Sequence, residues 1–427
     1  MAKGTGRWKR IVARIALGFL AFVLFAALVA YKAYEPLIAN RWGWKPVPPK
    51  LEYPLAAMHA PGWEAVGAKA DDLLKIIRER ALAPSVSAAI LVDGEVVWAG
   101  AVGYADLDRL IPATPQTAYR LGSSSKAVTS VAMGTLLDQG KVDLDAPLSR
   151  YVKDLDGVLA PITTRQAMSH TAGVRDYGAC LCFPVIEYFN RRHYDSQRDA
   201  LRPIEHSKLL FAPGTSFAYS SNGYNLSGAV IEGVTGRRYP EFLATQVFTP
   251  LGMSSSRADS ARPIPREAAF YDVVNGSYKP VFRVDNTIKL PSGGILASPS
   301  DMVRLGQQMI RPTLFATATR DLLATPTKLT DGRINIQHYA LGWRNSETKV
   351  RNGTQTTREL HHHGTALGSI SHFSVYPEEG VAISLMMNLN QARFGPAAGL
   401  LVDLFLEERD AKRTKSGCQS GRCAIDQ

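Results

Sequence analysis

Two hairpin signals near opposite ends of the chain constrain the fold more than any other feature. The first joins SVSAAILVD to EVVWAGAVG through Asp93-Gly94; the second joins SHFSVYP to VAISLMMNLN through Glu378-Glu379-Gly380. A Gly-containing turn between two apolar, β-branched runs supplies the backbone freedom that a tight hairpin needs. An amphipathic helix is predicted ahead of the first unit, from Glu64 to Leu82, where Val66, Leu73, Leu74, Ile76 and Ile77 are set among charges. A closing helix, roughly 397–407, follows the second. Between the hairpins, helical spacing marks 123–139, 163–169, 222–235, 240–247 and 300–310. This order brings strands from both ends into one antiparallel sheet flanked by helices, with a mainly helical region inserted. The expected class is α+β, an α/β sandwich.

The first 62 residues read differently. Ile15 to Tyr31 is a run of 17 residues without a charge, near the short end of a membrane span. Lys3, Arg7, Lys9, Arg10 and Arg14 precede it and should hold the amino terminus in the cytoplasm, with the rest exported. A cut after Ala30 would put Leu28 where a signal peptidase needs a small residue, so a retained anchor is the preferred reading. The predicted organisation is a basic cytoplasmic segment at 1–14, a transmembrane anchor at 15–32, a proline-rich extended linker at 33–62, a folded domain at 63–408 and a loose polar tail at 409–427. The expected location is the inner (cytoplasmic) membrane, single-pass, with the domain on its periplasmic or extracellular side.

Those five cations account for five of the formal net charge of +11. The remainder is diffuse and forms no basic stripe, which argues against nucleic acid as a partner. Four cysteines occur. Cys418 and Cys423 could close a small loop in an exported tail, whereas Cys180 and Cys182 are too close for an unstrained bridge. Neither pair has zinc-site spacing.

The run AYRLGSSSKAVTSVAMGTLLDQGKVDLDAP carries the chemistry. Gly122 precedes Ser123, and Val128, Val131, Leu136 and Leu137 give the following helix its spacing. Ser123 therefore sits at a helix start, and Lys126 lies three residues on, on the same side. A serine hydroxyl is a weak nucleophile without an adjacent base, and an amine can be that base when neutral. Ser124 would need its base at Ala127 and Ser125 at Val128, so Ser123 alone meets the spacing. Taken alone, the run is more often a Ser-rich cap with a surface lysine.

Further segments lift the argument: GKVDLDAPLSRYV, ITTRQAMSHTAGV, PGTSFAYSSNGYNLSGAVIEGVTG, LPSGGILASPSDMVRLG and HHHGTALGSISHF. In this order and spacing they resemble the class C beta-lactamase-like serine hydrolases over roughly 70–405, closest in motif detail to the mitochondrial beta-lactamase-like protease branch. The resemblance implies a beta-lactamase/penicillin-binding transpeptidase-like fold, acylation of Ser123, Lys126 as the motif lysine and Tyr219 opening the second motif. That motif carries Ser221 where many members have asparagine. His362-His363-Gly364 fits the third motif, with His362 and Gly364 beside substrate. The Thr365 N–H would join that of Ser123 as oxyanion donors, and Ser292 in Ser292-Gly293-Gly294 would support or contact substrate. A triad through His170 is a rival. Consecutive strand residues point to opposite faces, so His361, His362 and His363 cannot converge on a metal. The implied cycle calls on no metal or cofactor.

The expected function is a membrane-anchored extracytoplasmic hydrolase of an ester or peptide/amide bond in a small acyl substrate or peptide. A D-Ala-D-Ala carboxypeptidase or beta-lactamase is the alternative within the family, and a non-catalytic binding or assembly protein the alternative outside it. The segment 178–207 is expected to be an active-site loop.

Overall fold

The computed structural model describes residues 5–39, 41–48, 51–179, 184–260, 266–390 and 394–419. Its centre is a nine-stranded sheet in which every described pairing is antiparallel. The strands are β1 (Leu55–His59), β2 (Ser85–Val92), β3 (Glu95–Asp106), β4 (Arg344–Val350), β5 (Gln355–His361), β6 (Gly364–Ala366), β7 (Ser369–Tyr376) and β8 (Val381–Met387), with a two-residue strand at Ile111–Pro112. Their order is β4-β5-β7-β8-β2-β3-β1, with β6 on β7. The two predicted hairpins meet at its middle, where Val381 opposes Val92 and Met387 opposes Val86. Asp93 and Gly94 both take positive φ, 51° and 98°, as a two-residue turn of this hand requires.

The central strands are buried on both faces, and their alternation sorts side chains between two cores. Val86, Ala88, Ile90 and Val92, with Ile383 and Leu385, face α2 (Glu64–Ala81) and the closing helix. Ala89, Leu91, Ala382 and Met386 face the inserted helical region. On α2 the buried stripe is Val66, Ala70, Leu74 and Ile77, one residue per helical turn. The inserted region contains α3 (Ser125–Asp138), α4 (Ser221–Thr235) and α5 (Pro299–Ile310). Ser298 caps α5 by accepting the Asp301 N–H. The Cα of Gly306 lies so near the sheet that a Cβ there would fall 2.9 Å from that of Ala382.

Two expectations about the ends need correction. The linker is not a free spacer. Helix α1 (Thr5–Ala39) runs on through Pro36. Proline deprives that turn of one hydrogen bond, but the turn is held from outside: the Ala33 carbonyl accepts the Val185 N–H, and Lys279 Nζ donates to the Ala39 carbonyl at 2.9 Å. Residues 55–59 then form the sheet edge β1, a position that tolerates nearby prolines. His59 Nε2 and Trp98 Nε1 both bond the Asp71 carboxylate at 2.9 Å, which ties β1 and β3 to α2. Nor is the whole tail loose: α6 (Ala397–Gln419) continues past the predicted end. Its polar part is pinned by ion pairs that the local sequence does not reveal, from Arg409 to Glu379 and from Arg351 to Asp410. The loop that Cys418 and Cys423 could close, and the Cys180 and Cys182 pair, lie outside what is described.

Candidate active site

A short strand at Tyr119–Arg120 leads into a tight turn, Gly122–Ser124, that opens α3. Gly122 has φ +53°, and a Cβ there would fall 2.6 Å from the Thr365 carbonyl carbon. A Cβ on Gly364 would fall 2.9 Å from the Ser123 nitrogen. Two glycines thus let the nucleophile turn and β6 touch backbone to backbone, bringing the Ser123 and Thr365 amides together. The two neighbouring serines fasten the turn. Ser124 Oγ donates to the His362 carbonyl at 2.8 Å, and Ser125 Oγ accepts the Ile295 N–H at 3.2 Å. Both are fully buried, whereas Ser123 is partly exposed and lines a cleft of about 270 Å³.

Lys126 is wholly buried beneath this cleft. Its Nζ donates to the Ser292 carbonyl at 2.8 Å and lies 3.4 Å from both Ser123 Oγ and Ser221 Oγ. Among the described residues no carboxylate pairs with it. It also sits 4.9 Å from the centroid of the Tyr219 ring, so the amine meets the aromatic face of that residue. Tyr219 and Ser221 both line the cleft. Asn222 turns away to the Arg175 carbonyl, leaving Ser221 two residues beyond Tyr219 as the side chain that reaches Lys126. Ser292 contributes its carbonyl to Lys126, while its hydroxyl donates to Asn225 Oδ1 at 2.8 Å.

His362 is placed differently from expectation. It is fully buried behind the cleft, where Nδ1–H donates to the His363 carbonyl and Nε2 accepts from Tyr339 Oη, each at 2.9 Å. Burial, then the charges of Lys126 and Arg344, push its imidazolium form far below the usual range. The ring is a neutral strut behind the cleft and does not line it. Gly364 packs against the Ser123 amide, and its neighbour Thr365 lines the cleft. His170 is also buried and held neutral by burial and Lys126; it accepts the Ser220 N–H and packs against the tilted Tyr219 ring, centroids 4.2 Å apart. It orients the tyrosine and makes no bond to Ser123. His361 and His363 share one face, where His361 stacks on His363 at 4.8 Å and His363 on His372 at 4.2 Å. Among the described residues no group of three or more potential ligands is placed to hold a metal.

Several cleft residues escaped the sequence reading. Tyr177 Oη donates to Ser292 Oγ at 2.6 Å, and burial raises its phenol well above the usual range. Asp176 accepts the Ser221 N–H at 2.9 Å. Lys289 lines the wall with Tyr188, which comes from the expected active-site loop. Lys289 directly precedes the Leu290-Pro291-Ser292-Gly293-Gly294 run that the motifs singled out, and that adjacency was the available signal. A larger cavity, of about 740 Å³ and lined by Arg109, Arg120, Phe270 and Arg283, does not include the Ser123–Lys126 pair.

Comparison with known proteins bears on the family and the fold. The family model described as Beta-lactamase matches residues 71–406. The human serine beta-lactamase-like protein LACTB, mitochondrial, is 26% identical over 423 residues, covering 77% of each chain. A D-aminopeptidase of Gluconobacter oxydans is 29% identical, covering 76% of this chain and 59% of its own length. The octameric penicillin-binding protein homologue from Pyrococcus abyssi superposes with a TM-score of 0.65 at 21% identity, covering 80% of this chain and 77% of that one. The fold is therefore that of beta-lactamases and penicillin-binding proteins. The relatives spread over several branches, and the mitochondrial branch is not favoured among them.

Proposed function

Since the chain belongs to the beta-lactamase family of serine hydrolases, we propose that it cleaves peptide or amide bonds through an acyl-enzyme on Ser123. The observation that carries this reading is the buried Lys126 amine, 3.4 Å from a partly exposed Ser123 hydroxyl at the cleft. Catalytic contacts are often long without substrate and tighten when it binds.

In the proposed cycle Ser123 Oγ attacks the carbonyl carbon while its proton passes to the Lys126–Tyr219 pair. A neutral amine can take it, and the phenol across the cleft can carry it to the leaving group. The Ser123 and Thr365 amides hold the tetrahedral oxyanion. The leaving amine departs with the proton, and water then attacks the acyl-enzyme by the same route. Gly364 keeps β6 slim beside the acyl group, while Ser221 and Ser292 hold the lysine in place.

The name of one relative, a D-aminopeptidase, moves the weight from a general esterase toward amide bonds at D-residues. Ser221 in the second motif and the neutral, withdrawn His362 weigh against efficient beta-lactam turnover. We place the domain outside the cytoplasmic membrane, tethered by α1, whose segment Gly6–Ala39 is long and apolar enough to span a bilayer.

A parallel screen tests the substrate reading, with nitrophenyl esters, peptide amides of L- and D-residues and a chromogenic cephalosporin. D-residue amides should exceed both their L-counterparts and the cephalosporin by at least ~10-fold in kcat/KM, about 1.4 kcal/mol of barrier. Turnover of nitrophenyl esters alone would overturn it.

A further inference from the structure

Lys289 is 4% exposed, yet it lines the same cleft as Ser123 and Thr365. Its Nζ has one weak acceptor, the Tyr188 carbonyl at 3.5 Å, and lies 3.8 Å from the centroid of the Tyr188 ring. Among the described residues no carboxylate reaches it as an ion pair. The two acids whose charges it feels are already engaged. Asp259 is bound by Arg120 at 2.8 Å and by Asn286, and Asp176 holds the Ser221 N–H. A buried ammonium without a counter-charge is costly, and an aliphatic side chain would fill the same volume without that cost. The other amine beneath the cleft, Lys126, has its Nζ turned to Ser292, Ser123 and Ser221. The third motif offers no charge, because His362 is neutral and withdrawn. The counter-charge that suits Lys289 is a negatively charged acceptor brought into the cleft by a bound molecule. Asp176 in the same wall favours a monoanion over a phosphate dianion.

We propose that Lys289 is the specificity-determining cation of the cleft, selecting substrates that carry a carboxylate near the bond broken at Ser123. This rests on the acyl-enzyme reading above and adds to it the charge class of the substrate. Lys289 comes from the turn before the Ser292-Gly293-Gly294 run, so the charge reaches the cleft from a different element than the third-motif strand.

Arylboronic acids provide the test, since boron bonds the serine oxygen reversibly whatever the natural substrate. Phenylboronic acid and its 3- and 4-carboxy derivatives, each with its methyl ester, would be scored by how far they slow fluorophosphonate labelling. In the wild type the better carboxylate should bind at least ~10-fold more tightly than its methyl ester. In Lys289→Met that ratio should fall to about 1, and Lys289→Arg should retain part of it. The ratio is internal to each protein, so a loss of folded enzyme lowers both members and leaves it unchanged. Equal carboxylate and ester affinities in the wild type, or the same ratio in Lys289→Met, would overturn the assignment. Calorimetry with the same compounds reads the ratio independently of the fluorophosphonate. Absence of fluorophosphonate labelling would count against the acyl-enzyme reading alone.

Discussion

Lys289 leaves a signature in stability as well as in selectivity. Burial, then Arg120 and Lys126, against the opposing pull of Asp259 and Asp176, lower its ammonium from the ordinary 10.5 to about 7. Between those two values the unfolded chain binds a proton that the native chain has released. Wild-type stability must therefore rise with pH across that window, and the full cost of the buried charge is present below pH 7. Lys289→Met removes the dependence. Urea titrations should show the variant's advantage over wild type shrinking between pH 6 and pH 9 by on the order of 1–3 kcal/mol. An advantage that stays constant over that range would show that Lys289 is not buried as an ammonium. Ser123 and Lys126 stand out by residue type and spacing, whereas the roles expected of Tyr219, Ser221 and Thr365 came from the resemblance to the family. Neither signal reached Lys289, Tyr177 or Asp176. A lysine before a glycine-rich turn reads as solvent-exposed, and only the close packing of Tyr188 from a distant loop makes it otherwise. His362 went astray for a related reason. Its position follows the motif, but its partners, Tyr339 and the His363 carbonyl, are set by tertiary packing.

Among the elements, those with a clear period were legible and those held by distant partners were not. The two hairpins, α2 and α5 follow from alternation, turn residues and apolar stripes. Strand β1 does not: LAAMH among prolines has no period of its own, and the unpaired edge of β3 makes it a strand. Its contribution can be measured by truncation. A chain beginning at residue 51 keeps β1 and the His59–Asp71–Trp98 link; one beginning at residue 63 loses both and bares the β3 edge. The shorter chain should unfold at a Tm several degrees lower, in keeping with a loss of about 2 kcal/mol or more, and should aggregate on warming. Equal Tm values and solubility would mean that β1 is an ornament of the sheet. The polar half of α6 was illegible for the same reason as β1, since Glu379 and Arg351, which pin it, lie on other elements.

At the scale of the whole molecule, α1 and the domain meet at the active-site loop. The Ala33 carbonyl accepts the Val185 N–H, and Glu35 pairs with Arg191 at 3.1 Å, a few residues from Tyr188 in the cleft wall. A tethered enzyme of this shape would work close to the bilayer surface. Full-length protein should stay with membranes through alkaline carbonate, and the chain beginning at residue 51 should be released. Release of both would remove the anchor from the proposal and leave the hydrolase untouched. The hydrolase itself is tested by the covalent bond it must form. Full-length protein treated with a fluorophosphonate should gain one adduct mass, mapped by peptide sequencing to Ser123. Ser123→Ala should gain none and lose at least ~10³-fold in turnover. An adduct that maps to another residue, or turnover that survives in Ser123→Ala, would contradict the acyl-enzyme mechanism.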